Sequence, residues 1–297
     1  MSILVCGATG FVGQQIALAT QRKTHRVRAL VRGGASNAKA GPLTAAGIDI
    51  ATGDLTQPDT VAPACASVDT VICTATTMPT GANDGLRRVD RDGVLALIEA
   101  ADRGGVRKFV YTSYSGNVRV ESPLETAKRD CEARLLESGM DVVILRPSYF
   151  MEMWLGPHLG FDAQTATARI YGDGSGKVSY ISAFNVAEFA VAAAERATGK
   201  QAILEMGGPE ALSQLDAVRI FERVLGRTFQ LESVPVEALR QQHQSADRLQ
   251  KTFAALMLAY AHGDVIPAAA ALAGEYSIAL RSLEDYAASV RDQQAGA

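Results

Sequence analysis

The 297-residue chain is 47% hydrophobic and 21% charged, close to an ordinary globular composition, and its formal net charge is −3. No run of like charge marks a nucleic-acid arm or an acidic tail, so a nucleic-acid role has no electrostatic footprint. No apolar stretch approaches the length of a membrane span.

The first half alternates short β-type runs with helix-length amphipathic stretches. Strands are expected at Ile3–Cys6, His25–Val31, Ile48–Ala51, Thr70–Cys73, Lys108–Thr112 and Asp141–Leu145, the last stopped by Arg146-Pro147. Helical patterns fall at Phe11–Arg22, from about Asp90 to Arg103, and at Glu125–Ser138. Strands separated by helices imply right-handed βαβ units and hence an α/β, doubly wound parallel (Rossmann) sheet.

Beyond Pro147 the pattern loosens. A turn cluster at Tyr171–Lys177 precedes an expected strand at Val178–Ile181, a helix at Asn185–Ala197 and a strand at Ile203–Met206. Helices then dominate: Leu215–Leu225, Val236–Gln244, Leu249–His262 and Ser282–Val290. The Ala-Gly runs at Ala268–Ala273 and Gln293–Ala297 read as compositional, with fraying expected at the very end. The expected organisation is a dinucleotide-binding domain at 1–150 and a smaller, mostly helical substrate-binding cap at 151–297, with 178–206 returning to the sheet.

The four cysteines, Cys6, Cys65, Cys73 and Cys131, show no C-x-x-C spacing, and Cys6 and Cys73 lie in apolar runs. Buried reduced thiols are therefore expected, not disulfides or a metal site. His158, His243 and His262 are isolated and share no ligand spacing, so no metal is expected. Met1 leads directly into Ile3-Leu4-Val5 without a charged segment and a separate hydrophobic stretch, which predicts no signal peptide and a soluble, cytoplasmic protein.

The opening carries the clearest chemistry. A strand, three glycines spaced three apart and a helix follow in order through Gly7-Ala8-Thr9-Gly10-Phe11-Val12-Gly13. In such a turn the first glycine permits the sharp exit from the strand, the second lets backbone approach a pyrophosphate, and the third allows helix and strand to pack closely. The amide groups and positive end of the following helix then hold the anion. The spacing is G-x-x-G-x-x-G, not G-x-G-x-x-G, and the glycines alone would only define a tight turn. Strand before, helix after and a βαβ continuation favour dinucleotide binding.

The end of the second strand bears on the choice of dinucleotide. An NAD-specific site places a carboxylate there to bond the adenosine ribose 2′-hydroxyl. This chain has Leu30-Val31-Arg32, with Lys39 in the next loop, and a guanidinium suits a 2′-phosphate. Those residues favour NADP(H). Asp54, after the third strand, is placed to meet the adenine amino group instead.

Taken together these segments resemble the NmrA-like and isoflavone-reductase-like group of atypical short-chain dehydrogenases, over nearly the whole chain. Besides the glycine segment, the resemblance is carried by Val27–Arg32, Gly53-Asp54-Leu55, Gly105–Ser113, Leu145-Arg146-Pro147, Tyr180-Ile181-Ser182 and Asn185–Ala190, although Asn185 stands where the group commonly has Asp. It implies an NADP(H) path over Thr9, Phe11, Val12, Arg32, Asp54, Leu55 and Thr74-Ala75-Thr76. The nicotinamide would lie near Ser113, Lys128 and Pro147-Ser148-Tyr149-Phe150. Ordinary members of the superfamily pair Ser with Tyr-x-x-x-Lys. Here Leu124-Glu125-Thr126-Ala127-Lys128 keeps the Lys and has Leu124 at the Tyr position. The resemblance makes Lys128 the catalytic candidate, with Ser113 as a substrate-carbonyl donor. Without it, Lys128 reads first as a surface charge on a helix that also carries Arg129, Asp130, Glu132 and Arg134, while Ser113 reads equally as a satisfied loop hydroxyl, and Tyr149 and Phe150 equally as core.

The expected partner is a small apolar molecule, taken into a pocket lined by residues such as Met151, Trp154, Phe253 and Tyr260. A homodimer is allowed for, since the sequence does not determine the oligomeric state. The leading expectation is an NADPH-dependent reductase of an apolar carbonyl, enone or quinone-like compound. A non-catalytic NADP(H) sensor is the alternative, and an isomerase-like use of the nucleotide stays open.

Overall fold

The apolar runs of the first half become strands because each is short, rich in β-branched or aromatic residues and bounded by turn residues. In a computed structural model, which describes residues 1–23, 25–78, 84–197, 199 and 201–295, these strands are β1 (Ser2–Cys6), β2 (Arg26–Val31), β3 (Asp49–Thr52), β4 (Thr70–Cys73), β5 (Lys108–Thr112) and β6 (Asp141–Pro147). Helices α1 (Phe11–Arg22), α2 (Gly41–Ala45), α3 (Val94–Arg103) and α4 (Pro123–Leu136) run between them. A wider, π-helical segment, Leu86–Gly93, leads into α3 where the sequence pattern had suggested ordinary helix from about Asp90. Beyond Pro147 come α5 (Met151–Trp154), β7 (Phe161–Asp162), β8 (Thr167–Tyr171), β9 (Lys177–Val178), α6 (Ala183–Glu195), β10 (Gln201–Met206), β11 (Leu212–Ser213) and α7 (Gln214–Leu225). The chain ends through β12 (Gln230–Val234), α8 (Val236–His243), α9 (Arg248–His262), α10 (Ala269–Tyr276) and α11 (Leu283–Ala295).

Seven of these strands form one sheet in the order β10-β6-β5-β4-β1-β2-β3, with parallel pairing throughout from β6 to β3. This is the expected doubly wound α/β sheet. The chain runs outward from β1 to β3, then returns to place β4 on the other side of β1. That reversal makes the β1–β4 boundary the switch point, where loops diverge and ligands bind in open α/β sheets. Cys6 and Cys73 are register partners, so the chain leaves β1 at Gly7 and β4 at Thr74 side by side.

The central strands are buried on both faces, as a parallel sheet covered by helices requires. Leu4, Cys6, Val71, Cys73, Phe109, Tyr111, Val142 and Ile144 belong to one core cluster with Val94, Leu97 and Ile98 of α3 and Cys131 and Leu135 of α4. Ile3, Val5, Ile72, Val110 and Val143, which alternate with them, are equally inaccessible. The four cysteines are free and buried. On α1 the buried positions Gly13, Ile16, Ala17 and Thr20 follow the i, i+3, i+4, i+7 stripe of an amphipathic helix.

Residues 1–114, 122–146 and 186–204 form one compact unit, which contains β1–β5 and most of β6 and β10. Residues 115–121, 147–185 and 205–297 form the second. The second unit is not helical alone. It holds a three-stranded sheet, β12-β8-β7, and a ribbon in which β9 pairs with β11. β12 carries no apolar alternation because it is exposed along nearly its whole length, so periodicity could not reveal it. The strand expected at Val178–Ile181 reduces to Lys177–Val178, with Ile181 making only an isolated bridge to Phe150. Ala269–Tyr276, where composition had suggested no element, is the helix α10, and α11 continues through Ala295. The final two residues of the expected frayed end lie outside the described residues. No helix among the described residues is long and apolar enough to cross a membrane.

Candidate functional site

In the first unit, three glycines shape the β1–α1 turn, each under a different constraint. Gly7 has φ +87°, and a Cβ there would meet Thr74 Oγ1 at 2.8 Å and the Ala75 amide nitrogen at 2.9 Å. Gly13, inside α1, has no room at all, since a Cβ would sit 2.1 Å from the Gly7 carbonyl oxygen. Gly10 differs. The nearest atom to its Cβ direction is the Gly7 oxygen at 3.2 Å, with nothing further within 4 Å, so protein packing alone leaves that side open. The Gly10 amide donates to the Gly7 carbonyl at 2.9 Å and closes the turn. Gly10 also caps α1 without any side-chain bond, and the first turn carries no acidic residue. An uncapped helix start with open space above a glycine is a cradle for an anion's oxygens. The residues present fit a pyrophosphate. Thr9 and Val12 are half-buried around this turn, and Phe11 is 48% exposed.

Arg32 follows β2 directly and is exposed. Its carbonyl accepts from Asn37 Nδ2 at 2.9 Å, and Asn37 Oδ1 accepts from the Lys39 amide at 2.9 Å, which folds the loop back on itself. The Arg32 guanidinium has no ion-pair or hydrogen-bond partner among the described residues. Asp54 is used locally: its Oδ1 accepts from the Thr56 amide at 2.8 Å and the Thr56 hydroxyl at 2.9 Å. Leu55 is buried, and a Cβ on Gly93 would fall 2.5 Å from its carbonyl oxygen.

After β4, the Thr74 amide donates to the Cys6 carbonyl at 3.0 Å, and Ala75 is buried beside Gly7. Thr76 and its neighbour Thr77 bond to Asp90, a wholly buried carboxylate that no motif in the chain singles out. Its signal in the chain, one acidic residue amid Leu86-Arg87-Arg88-Val89-Asp90-Arg91, looks like any solvated charge run until the π-helical geometry turns it inward.

Lys128 lies on α4, which starts at Ser122, whose hydroxyl accepts from the Glu125 amide at 3.1 Å. The side chain is not on the surface. Lys128 is 5% exposed, and its Nζ donates to the Thr112 carbonyl at 3.0 Å and lies 4.9 Å from the centre of the Tyr111 ring. Among the described residues no carboxylate bonds to it. Leu124, one turn earlier, is also buried and offers no proton. Burial raises the Tyr111 hydroxyl well above its ordinary pKa, and nearby Cys131 and Cys73 add to the effect. Tyr111 therefore stays a neutral phenol.

Ser113 follows β5 directly and is buried. Its Oγ accepts from Arg129 Nη1 at 3.4 Å. Glu132, 3% exposed, accepts from Arg129 Nη1 at 2.6 Å and from Arg146 Nε at 3.1 Å. Burial by itself would raise the Glu132 pKa, but the Arg146 and Ser113 hydrogen bonds and the charges of both arginines outweigh it and hold the carboxyl below its usual range. Arg129 also lies 4.8 Å over the Tyr114 ring. Ser113 thus lies beside the Arg129–Glu132–Arg146 ion cluster.

Pro147, Tyr149 and Phe150 belong to the second unit. Tyr149 is packed within that unit: its ring centre is 4.6 Å from that of Trp154 and 5.1 Å from that of Tyr260, and its hydroxyl donates to the Leu256 carbonyl at 3.3 Å. Tyr180 and Tyr260 bond hydroxyl to hydroxyl beneath it. Pro147 is buried and Phe150 is half-buried. Among the described residues no group of three or more His, Cys, Asp and Glu is arranged to hold a metal.

Among characterised proteins, the chain is 30% identical over 242 residues to an NAD(P)H azoreductase of Xenophilus azovorans, covering 80% of this chain and 79% of that protein. It is also 30% identical to the photosystem II assembly factor Ycf39 of Synechocystis, covering 81% and 72%. Among solved structures, the Escherichia coli NADPH-dependent quinone oxidoreductase complexed with NADPH superposes with a TM-score of 0.80 at 19% identity, covering 98% of this chain and 99% of that one. The Citrobacter triphenylmethane reductase complexed with NADP(H) gives 0.76 at 20% identity, covering 97% and 99%. The NmrA-like family matches residues 1–286, and the chain belongs to that family.

Proposed function

We propose that the chain is an NADP(H)-dependent oxidoreductase that reduces a small apolar carbonyl, enone or quinone-like compound. The observation that carries this reading is Lys128: a buried amine at the carboxyl end of β5, held by one carbonyl and one aromatic face and, among the described residues, bonded to no carboxylate. Burying a lysine without a carboxylate partner is costly, and such groups cluster at functional sites. Gly7, Thr9, Gly10 and Gly13 hold the pyrophosphate at the start of α1, with Phe11 and Val12 beside it. Arg32 meets the 2′-phosphate. Leu55 and Thr74-Ala75-Thr76 border the nucleotide, and Asp54 Oδ2 is left by its own turn to meet the adenine. The azoreductase and the quinone and triphenylmethane reductases, all named for NAD(P)H chemistry, support the same reading.

The cofactor supplies hydride when bound. This chain's part is to place the acceptor and to stabilise the negative charge that develops on its oxygen. Lys128 does this: its ammonium faces the developing oxyanion, gives it a proton and regains one from water. Ser113 keeps the Arg129–Glu132–Arg146 cluster in order.

The test is loss of reduced-nicotinamide absorbance with a panel of quinones, enones and azo dyes, comparing the native chain with Lys128→Ala. Turnover that needs Lys128 supports the proposal. Tight NADPH binding with no turnover on any member of the panel would remove it. That outcome would favour a second reading, a non-catalytic NADP(H) sensor, for which Leu124 at the usual Tyr position and the relatives named as assembly factors speak. A sensor must respond differently to the two redox forms, so sedimentation in NADP+ and in NADPH would then differ.

A further inference from the structure

Asp90 is among the most deeply buried charged groups of the first unit, with no exposed surface, and among the described residues its side chain makes no ion pair. Both of its oxygens are taken up by one short stretch of chain. Asp90 Oδ1 accepts from the Thr76 hydroxyl at 2.5 Å, and Oδ2 accepts from the Thr77 amide at 2.9 Å and the Thr77 hydroxyl at 2.7 Å. Thr76 Oγ1 in turn accepts from the Met78 amide at 3.2 Å. A carboxylate buried at this depth is tolerated when both oxygens are hydrogen-bonded, and here both are bonded by the loop that leaves β4 at the switch point.

The π-helical segment that presents Asp90 braces more than this loop. Gly93 lies against Leu55 in the loop after β3, so tightly that a Cβ would be 2.8 Å from the Leu55 Cβ. Gly85 lies against Thr77, where a Cβ would meet the Thr77 Cγ2 at 3.1 Å. On its other side, Arg91 Nε bonds to Asp130 of α4 at 2.6 Å, and the Cys131 thiol donates to the Asp90 carbonyl at 3.4 Å. One wide helical segment thus contacts the loops after β3 and β4 and the helix that carries Lys128. π-helical turns continuous with α-helices occur frequently at functional sites.

We infer that Asp90 is a positioning residue of the nucleotide site, a buried clamp that fixes Thr74–Thr77 in the shape that receives the cofactor without touching the cofactor itself. The inference rests on the NADP(H) reading above. Three hydrogen bonds to one carboxylate remove the loop's freedom before binding, so the ordering cost is not charged against affinity.

The experiment measures the dissociation constant of NADPH by fluorescence titration for the native chain, Asp90→Asn, Thr77→Val and the double variant, together with amide exchange at Thr77. Asp90→Asn keeps the size of the side chain and loses the charge and one acceptor; affinity is expected to fall about tenfold, and in Thr77→Val about threefold. Where an acceptor is turned over, KM for NADPH rises while kcat at saturating NADPH changes less than about twofold, because only ground-state binding is lost. The double variant is expected to match Asp90→Asn alone, since both act on one clamp, and Thr77 amide exchange accelerates in Asp90→Asn. A folded Asp90→Asn that binds NADPH as tightly as the native chain overturns the inference. If Asp90→Asn does not fold, Thr77→Val decides, and unchanged affinity there overturns it equally. A native chain that binds no NADPH sinks the underlying reading instead, and does so before any variant is made.

Discussion

At the β1–α1 turn the chemistry is carried by backbone, and at α4 by side chains. Gly7, Gly10 and Gly13 contribute amides, a left-handed turn and empty space, and any side chain at Gly7 or Gly13 would collide with the loop itself. At α4, Lys128 contributes a buried charge whose meaning depends on the Thr112 carbonyl and the Tyr111 ring brought to it from β5. A backbone site is written in residue types at fixed spacing. A side-chain site is written in distances between elements, which spacing does not encode.

Lys128 is expected to give the largest effect. Lys128→Ala should lower kcat by about 10²- to 10³-fold while leaving NADPH affinity within about threefold, because the group acts on the acceptor's oxygen. A loss that appears in NADPH affinity alone would turn the α4 end into a second binding element and erase the contrast with the turn.

The glycines break the comparison from inside the turn. Gly13→Ala forces a methyl against the Gly7 carbonyl and should cost about 2–3 kcal/mol in denaturant unfolding, as overpacking does. Gly10→Ala meets open space on the protein side and should change stability by less than about 1 kcal/mol, yet weaken NADPH by about tenfold, where the methyl takes the place of the anion. If the two variants behave alike, Gly10 is a packing residue and the cradle has no ligand to explain.

Arg32 sharpens the nucleotide choice by a smaller amount. Arg32→Ala should narrow the preference for NADPH over NADH about tenfold, the worth of one exposed charge-assisted contact with a phosphate. Equal affinities for the two nucleotides in the native chain would make Arg32 a solvated loop charge.

The smallest effect concerns pH. Glu132 is held below its ordinary value of 4.5, with burial opposing the shift and the Arg146, Ser113 and Arg129 interactions prevailing. A carboxyl whose folded pKa is depressed stabilises the fold fully above its unfolded pKa, and that stability is lost as pH falls through the folded value. Glu132→Gln should therefore flatten the acid limb of the stability curve below about pH 4.5, read by unfolding at several pH values. An unchanged acid slope would show that the cluster does not discriminate between protonation states.

Much of this molecule was legible in its residues. The glycine triplet, the short apolar runs and their alternation with amphipathic helices determine β1 to β6 and the doubly wound sheet, because periodicity and turn chemistry act locally. Arg32 at the end of β2 was legible for the same reason: the position is fixed by a strand end. The tertiary structure alone decided the rest. It turned Asp90 inward through a π-helical segment, buried Lys128 beneath a strand end, drew Ser113 into the Arg129–Glu132–Arg146 cluster, and built the second unit's β7-β8-β12 sheet from an exposed strand with no apolar signature. Burial and partner are properties of elements brought together from distant parts of the chain, and a linear pattern carries only the half that each element holds.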